Sequence, residues 1–195
     1  MYKRQLANWA GTPAPAAPQF FIKPNTTVVG PGDPVTLPEY SEAVSVEGEL
    51  AVIIGRIAKS VPLERVHEVV FGYTVANDLT ARDVMETDTQ WTRAKSFDGS
   101  TPLGPWIETE LDTDSLNITS WVDGDVVQEG NTSDMHYSVA ELVSAASEIF
   151  TLLPGDIILT GTPAGTSVLR DGHEVEVEVE GIGALVTRIR SSSLV

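Results

Sequence analysis

Apolar residues occur along this chain in short runs divided by turn-forming residues, and the runs carry the period of strands more often than that of helices. Pro13, Pro15, Pro18, Pro24, Pro31, Pro34 and Pro38 surround one apolar piece, Phe20-Phe21-Ile22, so residues 1–38 are predicted as an arm or a set of turns rather than a helix. VEGELAVIIG, Val46 to Gly55, begins as alternation and ends as a continuous apolar run, the pattern of a strand entering a core. Pro62, Leu63, Val66, Val69 and Val70 predict a short amphipathic helix starting near Ser60, with His67 on its outer face. A second buried strand is expected over Phe71 to Ala76, ending at Asn77-Asp78.

From Leu79 to Trp106 the period is lost and a loop is expected, including the Gly- and Pro-rich stretch that carries Lys95. Asn117 to Val122, Asp123-Gly124 and Val126-Val127 form a hairpin signal, because Asp-Gly accepts the positive φ angles of a tight primed turn. Ser138 with Glu141 three residues on is a capping box, followed by the helical stripe Leu142, Ala145, Ala146 and Ile149. Ile157 to Thr160, Glu174 to Glu180 and Ala184 to Ile189 close the chain as strands. The fold class is therefore mixed and β-dominated, with a few short helices, and no doubly wound βαβ domain.

Composition narrows the function. The 195 residues include 28 acids and 12 Lys plus Arg, a formal charge of −16 that repels phosphate backbones and anionic lipid, so neither nucleic acid nor membrane is expected as a partner. The absence of cysteine excludes thiolate metal sites and thiol nucleophiles, which leaves oxygen or imidazole for any metal. No apolar run is long enough to span a bilayer and the N-terminus lacks a secretory core, so a cytoplasmic protein is expected. No glycine-rich nucleotide signature follows any strand, no nucleophile elbow surrounds a serine, and His67, His136 and His173 lack metal-ligand spacing.

Glu47 and Glu49 lie two apart on a predicted strand, hence on one face, where their oxygens can converge on one cation. Spacing alone does not select them. The chain contains nine such acidic pairs where chance gives about four, and Glu174, Glu176, Glu178 and Glu180 read as the wet face of an amphipathic strand. Position separates the first pair: it enters a run destined for burial, where a carboxylate is costly without a cation or donor. Asp78, at the end of the next buried run, shares that feature. In so acidic a chain the scarce cations Arg82, Arg93 and Lys95 can offset an acidic site and receive an anionic substrate, and the TGTPAG turn after Ile157 to Thr160 offers N–H groups and hydroxyls to an oxyanion.

The chain resembles the fumarylacetoacetate hydrolase superfamily from FFIKP at Phe20 to its glycine-punctuated end, through EGELAVIIG, FGYTVANDLTARD, KSFDGSTPLGPW, VVQEGNTSDM and LPGDIILTGTPAG in the family's order. The resemblance implies a mixed β-roll, usually dimeric, so a homodimer is expected, with a catalytic domain over 39–195 behind an arm, 1–38, that is the remnant of a lid. It implies that Glu47, Glu49 and Asp78 hold Mg²⁺ or Mn²⁺. It makes Lys95 the catalytic cation facing substrate, places Arg82, Gly161 and Thr162 as substrate-binding residues, and gives Lys23 of the FIKP motif a supporting place in the same pocket. Family members hydrolyse acylpyruvates, decarboxylate oxaloacetate-like acids or isomerise hydroxydiene dioates, all through stabilisation of an enolate of a 2-oxo acid.

The chain also departs from the family pattern. Many members carry a His/Glu dyad near the N-terminus that activates water or moves a proton; here Gln5 and Asn8 stand nearest those places, and neither is a base at neutral pH. Met85 replaces a frequent glutamine after ARDV, and Gly99 replaces a common threonine after KSFD. DGSTPLGPW and the missing dyad resemble the branch that isomerises 2-hydroxyhepta-2,4-diene-1,7-dioate and decarboxylates its tricarboxylate precursor. The alternatives are an acylpyruvate hydrolase, an oxaloacetate decarboxylase, or a catalytically silent subunit that binds a 2-oxo acid.

Overall fold

A computed structural model describes residues 16–192. The seven residues of one strand, Gly48–Ile54 (β4), are all buried, because both faces of its sheet are covered. The other strands, in chain order, are Val28–Val29 (β1), Pro34–Leu37 (β2), Val44–Ser45 (β3), Val70–Asn77 (β5), Thr80–Ala81 (β6), Thr101–Glu108 (β7), Asn117–Val122 (β8), Asp125–Asn131 (β9), Ile157–Leu159 (β10), Glu174–Val179 (β11) and Gly183–Ser191 (β12). Three α-helices accompany them among the described residues: Arg82–Thr87 (α1), Thr92–Lys95 (α2) and Val139–Ile149 (α3). This is the β-dominated fold expected from the periodicity.

Two five-stranded sheets, ordered β1-β7-β5-β4-β10 and β2-β12-β11-β8-β9, carry ten of the twelve strands, with β3 and β6 as a small antiparallel pair. They share a core in which Leu50, Val52 and Ile54 meet Val175, Val177, Val179 and Leu185. Full burial of one such side chain contributes roughly 1.5–3 kcal/mol. The sheets pack tightly at Gly48, where a Cβ would stand 2.4 Å from Ser120 Oγ and 2.7 Å from Val177 Cγ1, so no other residue fits there without movement.

The hairpin of β8 and β9 turns at Asp123 and Gly124 with φ of 52° and 86°, as the Asp-Gly pair predicts. Helix α3 begins with its capping box: Ser138 accepts from the Glu141 N–H, and the Glu141 carboxylate accepts from the Ser138 N–H at 2.7 Å. It buries Val139, Leu142, Val143 and Ala146 against the core.

Three expectations change. The segment read as an arm supplies β1 and β2, which pair in parallel with β7 and β12, partners too distant in sequence for a local pattern to reveal. The predicted helix after Ser60 is a 3-10 helix over Leu63–Glu68. The stretch read as loop around Lys95 contains α1 and the single turn α2, since Gly and Pro begin only after Phe97; β7 then runs through Pro102 and Pro105. Phe71 is 54% exposed although it lies in β5. No helix among the described residues is long and apolar enough to cross a membrane.

Candidate active site and metal centre

The antiparallel pairing of β4 with β5 sets Gly48 opposite Asn77, which makes Glu47 and Asp78 neighbours at the end of the ladder; the Asp78 N–H donates to the Glu47 carbonyl at 2.8 Å. Because side chains alternate along a strand, Glu47, Glu49 and the cross-strand Asp78 share one face. Each of the three is 0% exposed, and one oxygen from each lies within 4.8 Å of the others. The Asn77 side-chain carbonyl accepts from the Glu47 N–H at 3.0 Å, which fixes the backbone at the first acid.

Three cations from three other segments close on these carboxylates. Lys95, the last residue of α2, donates to Glu47 Oε2 at 2.7 Å, to Asp78 Oδ2 at 3.1 Å and to the Thr80 hydroxyl. Lys23 donates to Asp78 Oδ1 at 2.6 Å and to the Ser100 carbonyl at 3.0 Å. Arg82, the first residue of α1, pairs with Glu47 Oε1 at 3.0 Å and donates from Nε to Ser45 Oγ at 3.0 Å. Burial pushes the Lys23 ammonium below the ordinary lysine value against the pull of Asp78, and the nearby Lys95 charge pushes the same way. Burial also lowers Arg82, opposed by Glu86 and Asp78, but a guanidinium stays charged at any working pH.

The turn after β10 supplies the fourth side. Its Gly161 adopts φ of 108°, and its N–H donates to Glu49 Oε2 at 2.5 Å. That amide therefore orients one of the three carboxylates. The Thr162 hydroxyl accepts from Gln128 Nε2 at 2.9 Å. Over Lys95 lies the Phe21 ring, with Nζ 5.7 Å from its centroid, and Phe21 meets Trp91 edge to face at 5.8 Å. Arg82 is the wettest of the charged side chains here, at 22% exposure.

Glu47, Glu49, Asp78, Lys95, Lys23, Arg82, Gly161 and Thr162 thus belong to one buried constellation. Arg93 does not; it pairs with Asp88 at 2.6 Å on the surface. His67 is exposed, His136 packs on Tyr137 and His173 lies 3.9 Å from Asp123, all apart from the carboxylates. Gln5 and Asn8 fall outside the described residues. Gln128, Asn77, Thr80 and Phe21 stand in motifs that the sequence analysis quotes without giving them a role. Gln128 lies just past the expected Val126-Val127 strand; a register shift in the β8–β9 pairing, between Ser120 and Trp121, turns it inward to 2% exposure, whereas Val126 two residues earlier is 51% exposed.

The donor set suits a hard divalent cation. Three carboxylate oxygens without nitrogen or sulfur favour Mg²⁺ or Mn²⁺ over zinc, and three acids so close together in a buried place need positive charge.

Residues 2–190 match the family described as "Fumarylacetoacetate (FAA) hydrolase C-terminal". The fold superposes with a TM-score of 0.93 and 43% identity on 5-carboxymethyl-2-hydroxymuconate delta-isomerase from Mycobacterium smegmatis, covering 98% of this chain and 75% of that one. Maleylpyruvate hydrolase from Sphingobium sp. SYK-6, solved with manganese(II) and pyruvate, is 35% identical with a TM-score of 0.81, over 88% of this chain and 64% of its own. The mitochondrial oxaloacetate tautomerase FAHD2A of Homo sapiens is 39% identical over 91% of this chain and 60% of its own length.

Proposed function

This chain belongs to the fumarylacetoacetate hydrolase family, and on that premise we propose that it isomerises or decarboxylates 2-oxo or 2-hydroxy-diene carboxylic acids with Mg²⁺ or Mn²⁺ held by Glu47, Glu49 and Asp78. The observation that carries the reading is the convergence of these three buried carboxylates within 4.8 Å. The manganese and pyruvate in the maleylpyruvate hydrolase and the keto–enol chemistry in the tautomerase's name support the same substrate class.

A divalent cation at these ligands supplies Lewis-acid polarisation of a carboxylate and the adjacent 2-oxygen. The chain's own residues do the rest. Lys95 holds its three protons against Glu47, Asp78 and Thr80, so its ammonium is fixed beside the place where negative charge develops on the substrate, and it can pass a proton from Nζ. Lys23 also donates to Asp78, so that acid does not depend on Lys95 alone for compensation. Arg82, at the wet edge, is placed for a substrate carboxylate, and the Thr162 hydroxyl for a second oxygen. Phe21 limits water above Lys95. The working unit under this reading is a cytoplasmic homodimer, a mass that light scattering checks.

Calorimetric titration of oxalate, an enolate mimic, into metal-stripped protein with and without Mn²⁺ tests the proposal. Binding that requires both the metal and Glu49, and that is lost in Glu49→Gln, is the expected result; binding indifferent to metal overturns it. Oxaloacetate then separates decarboxylation from tautomerisation, and pyruvate release from acetylpyruvate identifies a hydrolase instead.

A further inference from the structure

The Gln128 side chain makes five hydrogen bonds, and they run to both halves of the site. Its Oε1 accepts from the Gly48 N–H, the amide between the two glutamates, at 2.9 Å, and from Ser120 Oγ at 2.9 Å. Its Nε2 donates to Thr162 Oγ1 at 2.9 Å, the Pro163 carbonyl at 3.1 Å and the Gly165 carbonyl at 3.2 Å. A primary amide has two lone pairs and two protons, so both ends are fully engaged, with one proton shared. The surroundings leave little freedom. Gly48 has no room for a Cβ beside Ser120, and at Gly165, with φ of 100°, a Cβ would meet the Val127 carbonyl, the residue before Gln128, at 2.2 Å.

We infer that Gln128 is a positioning residue: it ties the Gly161–Gly165 loop to the backbone of the acid-bearing strand, so that the Thr162 hydroxyl and the Gly161 amide are held in register with Glu47 and Glu49. The strand is secured independently by β5 and β10, whereas Gln128 alone supplies three of the bonds that hold the loop. Loss of the amide should therefore release the loop and leave the strand in place. A buried donor is needed toward two carbonyls and an acceptor toward Gly48, and only an amide of this length provides both.

The role rests on the proposed function for its consequence in substrate binding, but the tether itself can be measured without it. Gln128→Glu keeps an acceptor for Gly48 and sets oxygen against the Pro163 and Gly165 carbonyls, so it breaks the loop side only. Gln128→Met breaks both sides, and Ser120→Ala removes a neighbour without touching the loop. Amide hydrogen exchange on the folded proteins, read by mass spectrometry, should quicken about tenfold or more over residues 160–167 in Gln128→Glu, with β4 protection unchanged, and not in Ser120→Ala. Unchanged exchange over 160–167 in folded Gln128→Glu overturns the tether, as does equal loss of protection in the loop and β4. At saturating Mn²⁺, oxalate affinity should fall at least tenfold in Gln128→Glu, and Mn²⁺ affinity should fall as well because Glu49 loses its hold from the Gly161 amide. Oxalate affinity at saturating Mn²⁺ equal to that of wild type overturns the positioning role. Oxalate that fails to bind wild type contradicts the proposed function instead, and the exchange result still decides the tether.

Discussion

The segment entering β4 and strand β11 both carry glutamates two residues apart, yet they do opposite things. In β11 the valines at 175, 177 and 179 face the core, and Glu174, Glu178 and Glu180 stand in solvent with Glu176 half-buried. Before and within β4 the polarity is inverted: Glu47 and Glu49 are wholly buried, and Lys95, Lys23 and Arg82 are drawn in around them and Asp78. The wet row contributes solubility and little stability, because surface carboxylates are well hydrated and their interactions screened. The buried row is a different physical object. Desolvating three acids is tolerable only because cations and backbone amides meet them, and removal of any one partner leaves the others uncompensated. Equal spacing thus predicts equal geometry, but burial decides whether that geometry becomes a site.

The largest separation between the two regions is expected in stability. Asp78→Asn leaves Lys23 and Lys95 short of a buried counter-charge and should cost about 3–5 kcal/mol in denaturant unfolding, whereas Glu178→Gln should lie within about 0.5 kcal/mol of wild type. A smaller contrast follows from two glycines. Gly48→Ala overpacks the contact between the sheets at about 1–3 kcal/mol, while Gly124→Ala meets nothing within 4 Å and costs about 1–2 kcal/mol, from its positive φ alone. The crowding at Gly48 should be relieved in part by Ser120→Ala, and that at Gly124 not at all.

The smallest effect concerns a surface carboxylate that is held as the β11 acids are not. Burial works against ionisation of Asp83, but hydrogen bonds from the Ser41 hydroxyl and the Glu42 and Val84 amides outweigh it and hold the carboxyl below the ordinary value. Since the folded value lies below the unfolded one, about 3.9, the folded state gains stability above that pH and loses it as pH falls through the lowered value. Unfolding midpoints measured from neutral pH down through pH 3 should therefore differ less between pH values in Asp83→Asn than in wild type.

Much of the frame was legible because local chemistry agreed with the final fold. The capping box at Ser138, the Asp123-Gly124 turn and the apolar run of β4 need only neighbours in sequence to be read. The pairings of β1 with β7 and β2 with β12 were not legible, because strands of two and four residues have no period of their own and are selected by partners far along the chain. For the site, Glu47, Glu49 and Asp78 stood out as acids beside buried runs, and Lys95 as a scarce cation. Gln128 gave no such signal: its neutral amide breaks no charge pattern, and its five partners come from three separate segments. The bond from the Gly161 amide to Glu49 was out of reach for a related reason, since a turn's composition shows that N–H groups are presented and not which acceptor receives them.

The central claim is that buried Glu47, Glu49 and Asp78 bind a divalent cation and the equally spaced acids of β11 do not. Its most direct test is Mn²⁺ titration followed by electron paramagnetic resonance on the folded wild type, Glu49→Gln and Glu176→Gln. The account predicts one Mn²⁺ per chain in wild type and Glu176→Gln, and at least a tenfold loss of affinity in Glu49→Gln. Equal binding by all three proteins, or loss in Glu176→Gln alone, would contradict it.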